Sequence, residues 1–498
     1  LAKSLNFQSG LRVENSCQNC AFPQVRINGL EGPYSQILIN SRPIISALSG
    51  VYGLEQIPTN MVERIEVVRG GGSALFGANA VGGTINIITK DPVSNSFQVS
   101  STMSNVNGDT WEQYMGANAS LVSKDNVYGI AVYQSYRNRN PYDVDGDSFS
   151  EIGKLNMNTF GLRAYYRPTQ FSRLNIEYHT TNEFRRGGNK FDLEPFETDI
   201  TEQTKHVINS GGLTYDLFWQ EYKHKLSFYT SAQHVDRNSY YGAQQDPNAY
   251  GKTDGVTAVV GAQYLYRIKF FELTTGLEYN YDYLYDNPVG YVNLGYTSMR
   301  TEQHIHTASV LAQGEFKFKK WGFLVGGRLD NWNNGSKNLL IPSPRVTLRY
   351  NPTEHINLRA VYSSGFRAPQ AFDEDLHILV VGGERTRIRL AEDLKEERSH
   401  TFSLSADMYH SFNNGVQLNF VVEGFYTILN DVFALRDYAG SELGQTIKPI
   451  EGKDGVYDVN DGARMYERYN GSGATVMGLN LEAKVAFLPW VQAQVRGL

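Results

Sequence analysis

A short acidic run holds the residues of this sequence best suited to binding a metal ion. Asp143, Asp145 and Asp147 stand at alternate positions around Gly146, and Glu151 follows four residues after the last of them. Hard cations take roughly six to eight oxygen ligands, and closely spaced carboxylates around a glycine can wrap around one. The glycine is not where an EF-hand loop places it. The run therefore predicts either a calcium-binding loop or a solvated acidic loop.

A second chemically suggestive pair is Cys17 and Cys20, which form a C-x-x-C motif. In a cytosolic protein this spacing suits a redox pair or half of a zinc site. The chain has only two cysteines, so no second pair could complete a zinc site, and no histidine lies close by in sequence. The compartment of the protein therefore decides what this pair does.

No motif of a known catalytic type accompanies these residues. A nucleophile elbow, a zinc-protease helix and a P-loop are all missing from the sequence. The glycines between residues 70 and 83 could cradle a phosphate, but no Gly-Lys-Ser/Thr follows them. No pair of acidic residues has the spacing of a glycosidase site. The sequence thus predicts a protein that is not an enzyme and has no catalytic cofactor.

Composition narrows the class further. The 498 residues are 12% aromatic and 41% hydrophobic, which excludes a disordered chain, and no stretch approaches the roughly 20 apolar residues of a membrane-spanning helix. The net charge of -6, from 46 basic and 52 acidic residues, lacks the basic surplus of nucleic-acid-binding proteins. No nucleic-acid partner is therefore expected.

The elements that would position these residues change in character near Pro92. Before it, short β-branched runs between glycines and prolines predict a small mixed α/β domain over residues 1–92. After it, about 17 segments alternate apolar and polar residues over roughly ten positions, the length of a tilted membrane strand. Short turns such as residues 350–354 alternate with long polar loops such as residues 137–151. This pattern predicts an all-β membrane barrel over residues 93–498.

Soluble β-proteins are the alternative interpretation of that pattern. A propeller or a solenoid would show a fixed repeat of roughly 20–50 residues, and none is present. A sandwich usually has strands of about five or six residues, shorter than these segments. The pattern therefore favours the membrane barrel.

Several segments closely resemble the TonB-dependent outer-membrane receptors. Residues 25–30, 36–43 and 57–90 match the plug domain of that family in one register. Residues 362–369, Tyr-Ser-Ser-Gly-Phe-Arg-Ala-Pro, resemble the FRAP-type box of its barrel. Residues 391–399 look like its Asn-Pro-Asp-Leu-Lys-Pro-Glu segment, with Ala391 and Glu392 in place of Asn-Pro.

The resemblance implies a plug inside a barrel of about 22 strands in the Gram-negative outer membrane. The sequence starts without a methionine and stops inside a predicted strand, and only about 17 strands are counted, so we expect the chain to be truncated at both ends, in the plug and in the barrel. The implied function is active import of a scarce large nutrient across the lipid bilayer. The implied partners are a TonB-type energy transducer with its inner-membrane motor, and a surface lipoprotein that caps the barrel would also fit the family. A passive porin-like channel is the alternative from a different class.

The resemblance also suggests the cargo and its ligands. Residues 53–58 and 372–377 look like receptors for cobalamin, a corrinoid, or for haem, with a ferric siderophore or another cofactor as the alternative. The expected ligand-binding residues are in plug loops and in a barrel loop: Tyr34, Leu48, Tyr52, Phe372, Asp373 and His377. His377 could be an axial metal ligand or simply a solvated loop histidine.

In the same family, charged plug residues bridge to the barrel wall, since a charge in the lumen must be paired or hydrated. We expect such ion pairs for Arg26, Glu63, Glu66 and Arg69, with solvated charges as the alternative. The oxidising envelope favours a local disulfide between Cys17 and Cys20. Calcium orders extracellular loops in some members, which fits the acidic run.

Overall fold

A computed structural model describes residues 2–15, 23–43, 56–293, 300–370, 385–412, 415–437, 448–449, 457–458, 463–488 and 491–497. Helices are few and short. The α-helices are α1 (Ala2–Leu5), α2 (Ser73–Phe76) and α3 (Val289–Asn293), and the 3-10 helices are Gly32–Tyr34, Thr59–Met61 and Pro195–Glu197. Within the described ranges, no helix is both long enough and apolar enough to cross a membrane.

The N-terminal domain, here called the plug, consists of two small sheets. Its strands are β1 (Leu11–Asn15), β2 (Pro23–Ile27), β3 (Ser35–Ile39), β4 (Val62–Arg69) and β5 (Gly83–Thr89). Strands β1 and β2 form an antiparallel hairpin, while β5 lies between parallel β3 and antiparallel β4. Ile27, Ile85 and Ile87 are fully buried between the two sheets. The β-branched runs of the sequence thus form the plug core.

After the plug, 17 strands of the described residues form a closed barrel in which consecutive barrel strands along the chain pair antiparallel. Its strands are β6 (Ser96–Val106), β7 (Thr110–Val122), β8 (Tyr128–Arg139), β9 (Lys154–Thr169), β10 (Ser172–Gly188), β11 (Ile200–Trp219), β12 (His224–Ala243), β13 (Tyr250–Ile268), β14 (Phe271–Asn287), β15 (Thr301–Phe318), β16 (Trp321–Asn333), β17 (Asn338–Thr353), β18 (Ile356–Arg367), β20 (Glu397–Ser411), β21 (Gln417–Asn430), β26 (Ala474–Leu488) and β27 (Val491–Gly497). The predicted architecture, a mixed plug with a barrel of about 17 strands, is confirmed. The predicted boundary at residue 92 lies in the connector between β5 and β6.

Two connections of the barrel carry small sheets of their own. Strands β19 (Arg385–Leu390), β22 (Phe433–Asp437) and β25 (Ala463–Asn470) pair in the order β19-β25-β22, and β23 (Lys448–Pro449) pairs with β24 (Tyr457–Asp458). The first of these sheets joins the β18–β20 connection to the β21–β26 connection. The described strands of these two long connections therefore pair with each other.

Strand β14 shows why the alternating pattern gives a barrel. Leu277 and Tyr279 are 64% and 41% exposed on its outer face. Glu278, between them, points into the lumen and accepts a hydrogen bond from Tyr229 of the neighbouring wall. Successive side chains of a strand point to opposite faces, so apolar residues meet lipid and polar residues meet the lumen.

Aromatic rings mark the membrane boundary at the end of the barrel that has short turns. Trp219 stacks on His224 with ring centroids 5.1 Å apart, and Trp321 stacks on Tyr350 at 4.3 Å. Both pairs flank turns of two to four residues, at 220–223 and 319–320. Aromatic side chains gather at this depth because their rings are apolar while their edges are polar. The long loops lie at the opposite end of the strands.

The plug is seated against the FRAP-type box by backbone-to-backbone contact. A Cβ atom on Gly71 would lie 2.7 Å from the carbonyl carbon of Ser364, and one on Gly365 would lie 2.6 Å from the carbonyl oxygen of Ala80. The amide of Asn79 donates to the carbonyl of Phe366 at 2.8 Å. Only glycine allows this approach, because a Cβ atom at either position would lie closer to the facing backbone than Cβ atoms do in proteins.

We predict that Gly365→Ala loosens the plug. The new methyl group must displace the Ala80 carbonyl, which overpacks the interface at a cost of about 1–3 kcal/mol. Proteolysis of the plug in the folded receptor should then be about tenfold faster, measured by limited digestion and gel analysis. Gly424→Ala is the control, because its Cβ has no neighbour nearer than Leu479 at 4.0 Å. Equal digestion of both variants would contradict the assigned contact.

Candidate functional site

One buried ion pair joins the plug to the barrel wall. The Arg69 guanidinium lies 2.7 Å from a carboxylate oxygen of Glu423 on β21, with side chains 20% and 11% exposed. Arg69 also donates to the Ser9 carbonyl at 2.6 Å. The Asn480 amide donates to Glu423 at 3.3 Å and to Asn28 of the plug at 3.1 Å. Arg69 therefore has the partner on the wall that the sequence predicted for it.

Arg26 is placed differently from the expected wall pair. Its guanidinium lies 2.6 Å from Glu14 and 3.6 Å from Glu31, both in the plug. The register of the β1–β2 hairpin sets Arg26 directly opposite Arg12, and Glu14 also pairs with Arg12 at 2.7 Å. Like charges on directly opposite residues of a strand pair repel, so the Glu14 carboxylate is needed within the hairpin to neutralise Arg12 and Arg26. Arg26 thus stabilises the hairpin and not the contact with the wall.

The two predicted glutamates of β4 also have positions other than a wall pair. Glu66 pairs with Arg64 at 2.8 Å and accepts from Asn86 at 3.2 Å, all within the plug. Glu63 is exposed and lines a cavity between plug and barrel. Strand β4 lies at an edge of the plug sheet and pairs with β5 on one side only.

A second arginine of the plug, Arg42, reaches the wall without having been predicted to do so. Its guanidinium lies 3.4 Å from the ring centroid of Tyr229 on β12. The Tyr229 hydroxyl donates to Glu278 at 2.8 Å, and Arg328 pairs with the same carboxylate at 2.8 Å. Burial lowers the pKa of Arg42, while the wall carboxylates act in the opposite direction. No sequence spacing relates these residues, because they meet only through the fold.

The last plug strand and the connector make a third polar contact, with β9 and β10. Arg163 lies 2.6 Å from Asp91 and 3.2 Å from Glu177, and Arg173 lies 3.1 Å from Asp91. The amide of Asn40 donates to Glu177 at 2.6 Å. Each carboxylate in this network has at least two donors, which offsets the cost of removing it from water.

Tyr34, a predicted ligand residue, has its hydroxyl engaged by the wall. It donates to Glu397 at 3.2 Å, and the Arg367 guanidinium lies 5.4 Å from the ring centroid. Burial raises the pKa of Tyr34, and the Glu397 charge raises it further. Because a phenol ordinarily loses its proton near pH 10, this hydrogen bond persists throughout the physiological range. The phenol joins the plug to the start of β20.

The remaining predicted residues of the ligand site and the cysteine pair lie outside the described residues. They are Leu48, Tyr52, Phe372, Asp373, His377, Cys17 and Cys20.

A polar patch of wall lies beside Gln56 of the plug. The Gln56 amide donates to Glu183 on β10 at 3.4 Å. The same carboxylate lies 3.4 Å from Arg185 and 3.3 Å from His206, and all three of these side chains are almost completely buried. We define Glu183, Arg185 and His206 as the upper wall patch. Its permanent cation, Arg185, is already paired with a carboxylate.

The acidic run forms a compact turn. Carboxylate oxygens of Asp143, Asp145, Asp147 and Glu151 all lie within 4.8 Å of one another. The Asp143 carboxylate accepts from the amides of Gly146 and Ser148 at 2.7 and 2.8 Å, and Glu151 accepts from Val144 at 2.6 Å. The local hydrogen bonds therefore already gather the four carboxylates.

At residue 391, where alanine stands in place of the asparagine of the Asn-Pro pattern, the contacts are made by the backbone. Ala391 is 2% exposed. Its amide donates to the Arg468 backbone carbonyl at 3.0 Å, and its carbonyl accepts from the Lys337 ammonium at 2.9 Å. Lys337 also donates to the Leu394 carbonyl at 2.9 Å. The backbone of this segment, and not the side chain at 391, holds the loops together. Alanine can therefore replace asparagine here.

Comparison with known proteins gives a consistent picture. The family model "TonB dependent receptor-like, beta-barrel" matches residues 79–496, and "TonB-dependent Receptor Plug Domain" matches residues 1–84. The vitamin B12 transporter BtuB of Photobacterium profundum is 41% identical over 66 residues, which are 13% of this chain and 11% of that protein. The matches to the first curated relatives span only 11–15% of those proteins' lengths.

Solved structures match over nearly the whole chain. The siderophore receptor PirA from Pseudomonas aeruginosa has a TM-score of 0.72 and 16% identity, covering 100% of this chain and 82% of that one. The hemophore receptor HasR of Serratia marcescens, solved with its hemophore and heme, has a TM-score of 0.67 and 14% identity, covering 96% and 75%. At these identities the likeness shows a shared fold.

We predict that Arg69→Ala destabilises the seating of the plug by about 3 kcal/mol, because it leaves the Glu423 carboxylate buried without its cation. Arg69→Ala with Glu423→Ala should recover part of this loss. The measurement is a double-mutant cycle on the midpoint of plug unfolding in denaturant, followed by a plug fluorophore. Arg64→Ala is the control, since its pair with Glu66 is exposed and surface pairs contribute little. Strictly additive losses would show that the pair does not couple the two domains.

Proposed function

The chain belongs to the family of TonB-dependent receptors, which are Gram-negative outer-membrane proteins, and on this premise we propose that it actively imports a scarce, bulky nutrient. A TonB-type transducer of the inner membrane would supply the energy by acting on the plug. The family consists of receptors and transporters, so no chemical change of the cargo is proposed.

The contacts that hold the plug carry the proposal of active import over a passive channel. The lumen is filled by a folded domain that the wall holds through Arg69, Arg42 and Tyr34 on different sides. A porin leaves an aqueous lumen, whereas this arrangement must be disturbed before a large solute passes. Work on the plug is therefore needed for each cargo molecule.

Charge at the upper wall patch favours a cargo with little net charge. The Arg185 guanidinium lies on the Glu183 carboxylate, and Arg237 lies 3.6 Å from Asp286 on the neighbouring strands, so the charges of these two cations are balanced within the wall. A ferric catecholate carries several negative charges and would need cations not committed to wall carboxylates. A corrinoid presents mainly amide groups and has no such need. We propose a corrinoid first, then haem with His377 as a metal ligand, and a ferric siderophore as the alternative.

Calcium binding by the acidic run is a second, separate proposal. Four carboxylates within 4.8 Å of one another repel unless a cation or protons neutralise them. The loop lies at the end of the barrel with long connections, which would face the exterior. A surface lipoprotein, if this receptor uses one, would dock at the same end, where β19, β22 and β25 form their sheet.

We predict that the purified receptor, incubated with cyanocobalamin and passed over a desalting column, retains the corrin absorbance spectrum. Haem and ferric enterobactin are tested in parallel. A retained Soret band that is lost in His377→Ala, but kept in the turn variant His355→Ala, would identify haem instead. Retention of ferric enterobactin alone would favour the siderophore alternative. Free diffusion of small sugars through the receptor in liposomes, with no ligand retained, would contradict the importer.

We predict that millimolar calcium slows proteolysis of the loop at residues 143–151 at least fivefold. The cation would link carboxylates that otherwise repel, and this would restrain the loop. Asp145→Asn combined with Glu151→Gln should abolish the protection, whereas Asp192→Asn in another loop should not. Equal digestion with calcium and with chelator would contradict the proposal.

A further inference from the structure

The interface between plug and wall has two unlike halves. On one half, here called the packed side, residues 70–81 of the plug meet β16, β18 and β20. On the other half, here called the polar seam, Asn60, Glu63 and residues 89–91 of the plug meet β6 to β10. The two halves differ in what holds them together, and this difference predicts how the plug moves.

The packed side is held by backbone contact and apolar burial, with the Arg69–Glu423 ion pair and the Tyr34–Glu397 hydrogen bond beside it. Gly71 touches the Ser364 backbone, and Gly365 touches the Ala80 backbone, at distances that leave no space for a methyl group. Two apolar clusters cross the same boundary. Ala78 of the plug packs against Trp332, Phe366 and Ala368, while Leu30 and Val81 of the plug pack with Leu429. Parting these surfaces would expose apolar area to water with no compensating contact.

The polar seam is held mainly by side-chain hydrogen bonds and ion pairs beside a cavity, with one apolar contact across it, where Tyr133 of β8 packs in the plug core cluster. A cavity of about 220 Å³ lies there, bounded by Asn60, Glu63 and Asp91 of the plug and by Asn118 and His179 of the wall. The Asn60 amide donates to the carbonyls of Ala117 and Gln134 at 3.2 and 3.0 Å. Apolar residues such as Met61, Val132 and Leu162 also border this cavity, and its size leaves space for several water molecules.

Water can replace the contacts of the seam but not those of the packed side. A hydrogen bond or ion pair beside solvent exchanges its partner for water with little net loss. The connector of residues 90–95 leads from β5 into β6 at the seam and could extend to about 20 Å. Its length lets the two surfaces separate while the chain stays continuous.

We infer that the plug parts from the wall along the polar seam and stays seated on the packed side, so that cargo passes between the plug and strands β6 to β10. This inference rests on the proposed import function. The inference states on which side of the plug the cargo passes. Neither membership of the family nor the fold alone specifies that side.

The test locks each half separately in the full receptor. Asn60→Cys with Gly116→Cys spans the seam, because a Cβ at residue 116 lies 3.2 Å from the Asn60 amide nitrogen. Ala78→Cys with Ala368→Cys spans the packed side within one apolar cluster. Both pairs are joined in cells by the same short, reducible bis-thiosulfonate reagent, and uptake of cyanocobalamin is measured before and after reduction.

The expected result is an uptake at least tenfold lower for the seam lock, restored by reduction, and at most a twofold change for the packed-side lock. Loss of uptake with the packed-side lock, whether or not the seam lock also stops it, would overturn the inference. So would full uptake by both locked receptors. The reduced cysteine pairs and the unsubstituted receptor are the controls that show whether cyanocobalamin is imported when neither half is locked.

A second readout does not depend on the cargo. His179→Cys lies in the seam and Thr401→Cys lies under Gly70 on the packed side. In energised cells a maleimide should label residue 179 at least fivefold faster than in cells without a proton-motive force, and residue 401 at an unchanged rate. Failure of cyanocobalamin, haem and ferric enterobactin to enter would count against the proposed function alone. An unchanged labelling rate at residue 179, or a faster one at residue 401, would overturn the inference that the plug parts along the polar seam.

Discussion

In a barrel that crosses a membrane every second side chain must face the lumen, and the lumen of this receptor is filled by a folded domain. The wall therefore cannot solvate its polar residues with bulk water, as a porin does. Each buried charge needs a partner, since an unpaired one would cost several kcal/mol. Glu423 has Arg69, and Glu278 has Arg328 and Tyr229. Period-two alternation and a filled lumen together account for most of the ion pairs described above.

The fold could be predicted from sequence because its signals are local. Strand β14 reads as alternating apolar and polar residues, and the plug core reads as short β-branched runs; neither needs knowledge of distant residues. The acidic turn is predictable for the same reason, because Asp143 bonds to amides three and five residues away. The residues of the wall contacts lie much farther apart. Arg69 and Glu423 meet across more than 350 residues, so the sequence indicates the arginine and not its partner.

Arg26 and Arg42 illustrate the limit of reading charges from sequence. Both are arginines within β-branched plug segments, and the sequence predicts a wall pair for Arg26 and none for Arg42. The hairpin register places Arg26 opposite Arg12, so Glu14 is needed within the plug. Arg42 follows the turn after β3 and extends to the Tyr229 ring instead. The register of two strands, which the residue types do not fix, decides which arginine holds the wall.

A plug that must seal the barrel and later move meets two opposing requirements, and the two kinds of contact meet them separately. Apolar contact contributes about 25 cal/mol for each Å² of area removed from water, and all of it is lost when the surfaces part. A polar contact contributes about 0.5–1.5 kcal/mol net, because water replaces the lost partner. Polar contacts can therefore be numerous and specific without making the plug immovable. Concentrating apolar contact around Phe366 and polar contact around Asn60 lets one interface hold its register while another opens. A plug surrounded by apolar contact on all sides would seal equally well, but releasing it would require exposing all of that area at once.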